Sequence, residues 1–350
     1  MNKREIQHHA DFDQHELVEF CGNGRLTAII AVHNSNLGPA VGGCRMYPYL
    51  SQEEALTDVL RLSRGMTYKS ALAGLPLGGG KSVIIGNPRT DKTRDLLLAM
   101  GEFVDSLNGR YITAEDSGTS VADMAVMAER TQHVSGLLAD DQYGGDPSPY
   151  TAYGVLVGIR EAVQYRCESD LKGIRVAVQG AGNVGYHLTR MLLEDGAKVF
   201  VADVSAANLE RAAALGAEVM PVADILRAEV DVLAPCAMGA VINEDAVRDI
   251  RAGIVAGAAN NQLATEAMGH VLLDRGILYA PDYVINAGGI IDVYYQQRGE
   301  RSEKVVAHVE RIGETLGNIF RESDLSRRST HEVADRMAEA VFVSAAREVA

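Results

Sequence analysis

The sequence predicts an α/β fold in two domains, of which the second follows the Rossmann-type pattern of a dinucleotide-binding domain. The chain has 350 residues, more than a single hydrophobic core usually serves. Residues 144–149 hold two glycines and two prolines, which indicates a linker. Beyond it, strands alternate with helices as they do around a parallel sheet. The expected domains are 1–145 and 146–329, and the last helix, about 330–350, is long enough to return to the first domain.

Composition and charge exclude several classes of partner. The formal net charge is −14, from 33 basic and 47 acidic residues, which opposes nonspecific binding to nucleic acid and gives no polybasic patch for a membrane surface. No run reaches the ~18 apolar residues of a membrane span, and the N-terminus lacks the apolar core of a signal peptide. The cysteines are scattered, without the spacing of a zinc site or a disulfide framework. We therefore expect a cytoplasmic protein with reduced thiols and no metal.

The first domain is predicted to mix strands and helices. Asn23-Gly24 supplies the positive φ angles of a hairpin turn between two apolar runs. Ser51 and Glu54 form a capping box, so a helix is expected from there to about Met66. The remaining predicted elements of this domain are the strand that ends at Ile85, the helix Leu96–Leu107 and the strand Tyr111–Ala114.

Two lysines of this domain lie in a mostly apolar segment. Lys69 follows the predicted helix, and Lys81 stands directly after Gly78-Gly79-Gly80. Desolvation disfavours the charged form of a lysine, so a buried lysine can carry protons or polarise a carbonyl, and the glycines would let a ligand approach the backbone. A phosphate loop is rejected, because the glycine spacing is one residue too long and a strand follows instead of a helix. The general alternative is a surface turn with a solvated lysine.

Two further features accompany these lysines. Asp116 comes just after the apolar strand Tyr111–Ala114. Acidic residues at such positions are usually solvated or cap the next helix, but this one shares a domain with both lysines, so we keep it as a candidate functional residue. Gly42-Gly43, in a strip of small residues, are either turn glycines or part of the wall of a cleft.

The second domain contains a dinucleotide-binding fingerprint in its required context. The strand Ile174–Gln179 runs into a glycine turn, a helix follows, and the next strand ends at Asp203. Gly180 permits the tight turn, Gly182 lets the backbone approach a pyrophosphate, and Gly185 lets the helix pack on the sheet; the helix N-terminus offers N–H donors. The alternative is a merely structural βαβ unit. The residues of this turn predicted to bind the cofactor are Gly180, Ala181, Gly182, Asn183, Val184 and Gly185.

Asp203 predicts the type of dinucleotide. Its carboxylate can accept hydrogen bonds from both ribose hydroxyls, and its charge would repel a 2′-phosphate. We therefore expect NAD as the cofactor instead of NADP.

Three more strands continue the alternation, at Val230–Leu233, Ile254–Ala258 and Ile277–Ala280. Ligands of doubly wound sheets bind beyond the carboxyl ends of the strands, so the small-residue loops that follow are expected to form the floor of the cofactor site. Cys236 has no basic neighbour in sequence to stabilise a thiolate, and we interpret it as a buried small residue. The loop residues predicted to contact NAD are Cys236, Ala237, Ala259, Asn260 and Asn286.

Several longer motifs, in this order along the chain, resemble the glutamate/leucine/phenylalanine/valine dehydrogenases. They are residues 38–45 (GPAVGGCR), 75–81 (LPLGGGK), 113–116 (TAED), 145–149 (GDPSP) and 279–289 (YAPDYVINAGG). The resemblance runs from about residue 25 to 350 and is strongest to the leucine dehydrogenase branch, although residues 236–239 and 257–261 look more like a phenylalanine dehydrogenase. It implies an N-terminal domain for substrate binding and oligomerisation, as a dimer or an octamer, and a Rossmann domain for NAD.

The resemblance also implies a reaction and roles. An L-amino acid, NAD and water would give a 2-oxo acid, ammonium and NADH, reversibly, in a cleft between the domains that closes to exclude water. Lys69, helped by Asn261, would hold the substrate carboxylate; Lys81 would activate the attacking water; and Asp116 would carry protons to and from the nitrogen. The residue types agree with this chemistry, because water attack on an iminium needs a base near neutral pH and a proton relay.

The preferred amino acid stays open. The side-chain pocket implied by the resemblance is lined by Val41, Ala114, Ile290 and Val293, and further residues assigned to the substrate are Gly42, Gly43 and Met66. Such an apolar pocket disfavours glutamate, whose carboxylate would lack a partner. We expect leucine, valine or isoleucine. A methylene is worth only ~1–3 kcal/mol, and Val41 stands where leucine is common, so phenylalanine or tryptophan is the alternative.

An alternative of a different class is a non-catalytic NAD-sensing protein. Such a protein would need the Rossmann half of the chain but would have no use for Lys69, Lys81 and Asp116 together.

Overall fold

The computed structural model describes residues 6–137, 146–237, 239–300 and 302–349. The chain divides into two compact units, as the α/β prediction in two domains requires. Unit 1 comprises Met1–Gly145, Gln296–Gly299 and Ala338–Ala350, and unit 2 comprises Asp146–Tyr295 and Glu300–Met337. Of the predicted linker, residues 144 and 145 lie outside the described residues. The boundary between the units falls within the predicted linker, but Ser148 already begins a helix, so the prediction is wrong for residues 148 and 149.

Unit 1 is built around one mixed sheet. Its elements, among the described residues, are strands β1 (Leu17–Gly22), β2 (Thr27–Asn34), β3 (Ala40–Tyr47), β4 (Gly78–Ile85) and β5 (Tyr111–Glu115) and helices α1 (Gln52–Leu72), α2 (Arg94–Asp105) and α3 (Val121–Met127). The strand order is β1-β2-β4-β3-β5. β1 and β2 form the predicted hairpin, and β4, β3 and β5 run parallel. The carboxyl ends of these three strands therefore lie side by side.

Both faces of this sheet are buried, and β2 shows it directly. Ile29 and Ala31 pack in a cluster with residues of α1, while Ile30 and Val32 pack in a second cluster with residues of α2 and α3. Successive side chains of a strand point to opposite faces, so an almost continuously apolar strand fits a sheet covered on both sides.

Helix α1 is longer than the sequence predicted. Ser51 caps it by accepting from the Glu54 backbone N–H at 3.1 Å, and Glu54 accepts in turn from the N–H of Leu50 at 2.7 Å. The helix does not end near Met66 but continues to Leu72, because no strong breaker occurs before Gly74. Lys69 consequently lies in the last turn, where the helix dipole favours a positive charge.

Unit 2 carries a parallel sheet with helices between its strands. The strands are β6 (Arg175–Gln179), β7 (Lys198–Ala202), β8 (Glu218–Val219), β9 (Val232–Pro235), β10 (Ile254–Val255) and β11 (Leu278–Tyr279). The helices are α4 (Ser148–Cys167), α5 (Asn183–Glu194), α6 (Ala206–Ala214), α7 (Ala246–Asp249), α8 (Ala267–Asp274), α9 (Asp282–Ile285), α10 (Gly288–Gln296), α11 (Ser302–Val309) and α12 (Arg311–Ser326). The order β11-β10-β9-β6-β7-β8 is that of a doubly wound Rossmann sheet. Its switch point lies between β6 and β9.

Several boundaries differ from the sequence-based expectation. The strand predicted over Ile277–Ala280 shortens to β11, and the loop residue Asn286 follows the one-turn helix α9 instead of the strand itself. The helix predicted over Glu303–Glu322 is two helices, α11 and α12. None of the helices in the described ranges is long and apolar enough to cross a membrane.

The last helix, α13 (Thr330–Val349), contributes its residues from Ala338 onward to unit 1. There the carbonyl of Phe342 accepts a hydrogen bond from Asn36 Nδ2 at 3.1 Å. The carboxylate of Glu339 accepts one from the Tyr68 hydroxyl at 2.8 Å. The end of the chain thus packs on helix α1 and on the turn after β2.

Candidate active site

Lys81 and Asp116 meet across the middle strand of the parallel part of unit 1. Lys81 lies within β4 with 7% of its surface exposed, and its ammonium forms an ion pair with Oδ2 of Asp116, the residue that follows β5. Strand β3 runs between β4 and β5. A Cβ at Gly43 of β3 would lie 2.7 Å from Cβ of Asp116. The absent side chain at Gly43 therefore makes the room in which the aspartate reaches the lysine.

At the other glycines near Lys81, protein atoms already fill the space that a side chain would enter. A Cβ at Gly80 would lie 2.6 Å from the ring of Tyr111, one at Gly42 would overlap the carbonyl of Gly80, and one at Gly79 would overlap Thr67 of α1. The expectation that the glycine run opens the backbone to a ligand is wrong for these positions. They allow two strands and a helix to approach closely.

The carboxylate of Asp116 is held between two cations. Its Oδ1 lies 3.6 Å from Nη2 of Arg45 and accepts from the backbone N–H of Ser117 at 2.5 Å. Burial raises the pKa of this carboxyl, but Lys81 and Arg45 outweigh burial and bring the pKa to about 2. Asp116 is therefore ionised near neutral pH and can accept a proton.

Arg45 was not singled out from the sequence, and neither was its second partner. Nη1 of Arg45 donates to both carboxylate oxygens of Asp58 on α1, at 3.2 and 2.9 Å. The one available signal was an arginine directly after the small-residue strip. Arg45 and Asp58 are 13 residues apart in the sequence, and no sequence pattern indicates that they are in contact.

The substrate residues predicted in unit 1 lie on helix α1, which packs on β4, and on strands β3 and β5. Lys69 and Met66 are half-buried in the last turns of α1, and Thr67 between them packs on Gly79, two residues ahead of Lys81. Val41 of β3 is buried, with 2% of its surface exposed. Ala114 of β5 is half-buried and pairs in register with Gly43.

In unit 2, the three glycines of the turn after β6 have different structural roles. Gly180 has φ +98°, which suits glycine. A Cβ at Gly185 would overlap the carbonyl of Gly180, whereas a Cβ at Gly182 would meet no atom within 4 Å. Helix α5 begins after Gly182 without a side-chain hydrogen bond at its N-cap. These features fit the pyrophosphate of a dinucleotide.

Asp203 is fixed beside this turn. Its carboxylate accepts from the N–H of Ala181 at 2.6 Å and from the N–H of Ser205 at 2.7 Å. Burial raises the pKa of Asp203, but the hydrogen bonds from these backbone N–H groups outweigh burial, so the pKa lies below its ordinary value. The structure thus places an ionised carboxylate at the end of β7.

The loop after β9 closes against the turn. The N–H of Cys236 donates to the carbonyl of Gln179 at 2.7 Å, and a Cβ at Gly180 would lie 2.7 Å from Cβ of Ala237. Cys236 is half-buried, where complete burial was expected. Burial raises the pKa of its thiol to about 12, so the thiol is protonated and Cys236 is a poor nucleophile.

Two asparagines of the predicted cofactor set meet each other. Asn286 Nδ2 donates to Oδ1 of Asn260 at 2.8 Å and to the carbonyl of Ala258 at 3.0 Å. Oδ1 of Asn286 is buried and has no hydrogen-bond partner among the described residues. An acceptor left in this way fits a donor group on a bound cofactor.

Gln262 shapes the same loop and was missed. It is fully buried, and its Nε2 donates to the carbonyls of Gly257 at 2.8 Å and Ala259 at 3.0 Å. A polar residue after Asn260-Asn261 gave no signal, since loop residues are usually polar. The remaining predicted residues of unit 2 are Asn261, exposed with φ +51°, and the half-buried Ile290 and Val293 of α10.

Comparison with known proteins covers nearly the whole chain. The family model described as Glu/Leu/Phe/Val dehydrogenase, dimerisation domain, matches residues 18–133. That described as Glutamate/Leucine/Phenylalanine/Valine dehydrogenase matches 146–209 and 203–349.

Individual relatives differ in the substrate for which they are named. A leucine dehydrogenase of Geobacillus stearothermophilus is 48% identical over 93% of this chain and 90% of its own. An L-tryptophan dehydrogenase of Nostoc punctiforme is also 48% identical, over 93% of this chain and 92% of its own. The crystal structure of L-tryptophan dehydrogenase from Nostoc punctiforme matches with a TM-score of 0.83 and 44% identity, covering 98% of each chain.

Proposed function

The chain belongs to the glutamate/leucine/phenylalanine/valine dehydrogenase family and is an amino acid dehydrogenase, and we propose that it deaminates an apolar L-amino acid with NAD. The products are the 2-oxo acid, ammonium and NADH, and the reaction is reversible. The Lys81–Asp116 ion pair of unit 1 carries the proposal, because it supplies the base and the proton relay that the chemistry needs. Residues 1–145 bind the substrate and 146–329 bind NAD. The match of residues 18–133 to a dimerisation domain supports a homo-oligomer, either a dimer or an octamer, and we expect it in the cytoplasm.

The first half of the reaction makes the substrate nitrogen neutral. Lys69, with Asn261, binds the substrate carboxylate and fixes the position of Cα. The ionised Asp116 accepts a proton from the substrate ammonium. The nitrogen needs the lone pair that this frees, because an ammonium cannot form an iminium. Bound NAD would supply the acceptor for the hydride that leaves Cα.

The second half adds water to the iminium. Lys81 accepts a proton from the attacking water and, once charged, stabilises the negative charge that develops on the attacking oxygen. Asp116 returns its proton to the nitrogen, which leaves as ammonia and takes up a further proton from solvent. The hydroxyl of the intermediate releases its proton to solvent, and the carbonyl of the 2-oxo acid forms at Cα.

Residues of unit 2 support NAD as the cofactor. The open space at Gly182 and the uncapped start of α5 suit the pyrophosphate. The fixed charge of Asp203 suits two ribose hydroxyls and opposes a 2′-phosphate. Asn286 offers a buried acceptor.

Initial rates of NADH formation at alkaline pH over a panel of L-amino acids test the proposal, with NADP as a second cofactor. We expect leucine, valine and isoleucine to lead, glutamate to be poor and NADP to be a weak substitute for NAD. Lys81→Ala should lower kcat by about 10²–10⁴-fold, with NADH binding, measured by fluorescence, unchanged. Near-normal turnover in that variant would contradict the role of Lys81.

An aromatic substrate is the second candidate. The equal identity to a leucine and a tryptophan dehydrogenase favours it, as does a valine at position 41. Phenylalanine or tryptophan leading the panel would keep the mechanism and reassign the pocket. The non-catalytic NAD sensor is dropped, because the chain belongs to a family of enzymes.

A further inference from the structure

Two cations of different chemistry lie against one carboxylate in unit 1. The ammonium of Lys81 pairs with Oδ2 of Asp116, and the guanidinium of Arg45 lies 3.6 Å from Oδ1. Only 8% of the Lys81 side chain, 15% of Asp116 and 22% of Arg45 are exposed, so water screens these charges poorly. A lysine can lose its proton, whereas an arginine stays charged in proteins.

Arg45 is itself anchored on its far side. Nη1 donates to both oxygens of Asp58, and the Tyr49 hydroxyl donates to Oδ2 of Asp58 at 2.6 Å. Burial and the neighbouring Asp58 raise the pKa of Tyr49, which keeps the hydroxyl a donor. The guanidinium thus links a carboxylate of helix α1 to the carboxylate that follows β5. None of the roles assigned to Lys81 and Asp116 uses this link.

The reaction gives the link a purpose, and this inference rests on the proposed function. Lys81 has to be neutral when the substrate binds, because it later takes a proton from water, and Asp116 has to be ionised then to accept the proton of the substrate ammonium. At that stage Asp116 lacks the charge of one partner, and a buried carboxylate without a cation is unfavourable. We propose that Arg45 is a positioning residue, whose permanent charge holds the Asp116 carboxylate ionised and in place while Lys81 is neutral, and that Asp58 and Tyr49 hold Arg45 there.

The surroundings of the pair agree with this assignment. Among the described residues, the titratable groups near the pair include Cys44 on β3, Tyr111 on β5 and Asp123 on α3, and Glu115 precedes Asp116 in the sequence. Burial raises the pKa of Cys44 to about 12 and raises that of Tyr111 as well, so both are uncharged. Asp123 is paired with Lys92 at 2.8 Å.

The test is the pH dependence of kcat/KM for the best amino acid at saturating NAD. Without the positive charge of Arg45, the coupled Lys81–Asp116 pair as a whole loses its proton less readily. In Arg45→Gln the acid limb should therefore move to higher pH by about 1 unit, which is about tenfold in kcat/KM below the limb. Arg45→Lys keeps a positive charge at this position and should therefore show a smaller shift than Arg45→Gln. Arg94→Gln, which breaks the exposed pair with Glu129, is the matched control and should leave the profile unchanged.

Asp58→Asn provides a second test if Arg45→Gln does not fold. The amide oxygen of the asparagine keeps an acceptor that holds Arg45, while the negative charge that partly neutralises Arg45 is gone, so the acid limb should move to lower pH, opposite to the effect of Arg45→Gln. A rate lowered equally at every pH in both variants would show a purely structural role and overturn the inference. If the wild-type protein reduces NAD with no amino acid of the panel, the proposed function fails, which is a distinct result.

Discussion

The glycine-rich segment around Lys81 and the glycine turn after β6 look alike in sequence but differ in what occupies the space of the missing side chains. At Gly42, Gly79 and Gly80 that space is filled by backbone or side-chain atoms of the same unit. At Gly182, the residue that precedes the first turn of a helix, it is open. Glycine therefore serves close packing in unit 1, and in unit 2 it also leaves room for a ligand.

The two units also differ in the kind of functional group that they present. Unit 1 presents charged side chains, Lys81 and Asp116, which tight strand packing brings together across β3. Unit 2 presents backbone donors and one fixed carboxylate, Asp203. A methyl group added at Gly42, Gly79 or Gly80 should therefore harm folding, whereas one added at Gly182 should harm ligand binding.

The largest effect is expected for Gly42→Ala. The added Cβ would overlap the carbonyl of Gly80 on the neighbouring strand, and two paired strands cannot separate without losing hydrogen bonds. We expect a loss of about 3 kcal/mol or more in the free energy of unfolding, toward the upper end of overpacking effects. Thermal unfolding measures it. Gly65→Ala in α1 is the control, because a Cβ there meets no atom within 4 Å, and it should be neutral or stabilising by up to ~1 kcal/mol. Equal stability of the two variants would contradict the packing role.

A second prediction is that acidic pH lowers the stability of unit 1 but changes NADH binding little. His15 is buried under α1: Nδ1 accepts from the N–H of Asp13 at 3.2 Å, and Nε2 lies 3.1 Å from the carbonyl of Leu60. Burial and the neighbouring His33 lower the pKa of His15 to about 4. The unfolded chain protonates near 6.5, so stability is complete above that pH and falls as the pH drops toward about 4.

The expected loss over that pH window is about 3 kcal/mol, since one pKa unit corresponds to ~1.4 kcal/mol. Urea unfolding of wild type and His15→Gln at pH 7.5 and pH 5 should capture about 2 kcal/mol of this loss in the wild type, and the variant should show a flatter dependence. NADH binding to the native protein should change little over the same range. A wild-type stability that does not fall between these pH values would refute the assignment.

The smallest effect is expected for Gly182→Ala. Its backbone, φ −63° and ψ −162°, is open to any residue, and a Cβ meets nothing, so the melting temperature should stay within about 1 °C. A methyl group would occupy space proposed for the pyrophosphate, and the Kd for NADH should rise about tenfold, equivalent to ~1.4 kcal/mol. Fluorescence titration measures the Kd, with Gly65→Ala again as the control. Unchanged affinity would mean that the pyrophosphate does not approach Gly182.

The sequence by itself determined the α/β class, the two domains and the Rossmann turn, because these follow from local patterns. Hydrophobic period, glycine spacing and the position of an acid after a strand are all readable along the chain. It also indicated Lys81 and Asp116 as candidates, through their apolar surroundings. The end of α1 was misplaced because helix termini depend on packing as well as on local breakers.

Only the tertiary structure decided which side chains meet. The order β4-β3-β5 brings Lys81 and Asp116 together over 35 residues of chain. The packing of α1 adds Asp58 to Arg45, and Gln262 was recognisable only from its buried hydrogen bonds. Charge pairs between distant residues leave no periodic trace in a single sequence, since their partners are set by strand order and by the atoms that fill the space beside each glycine.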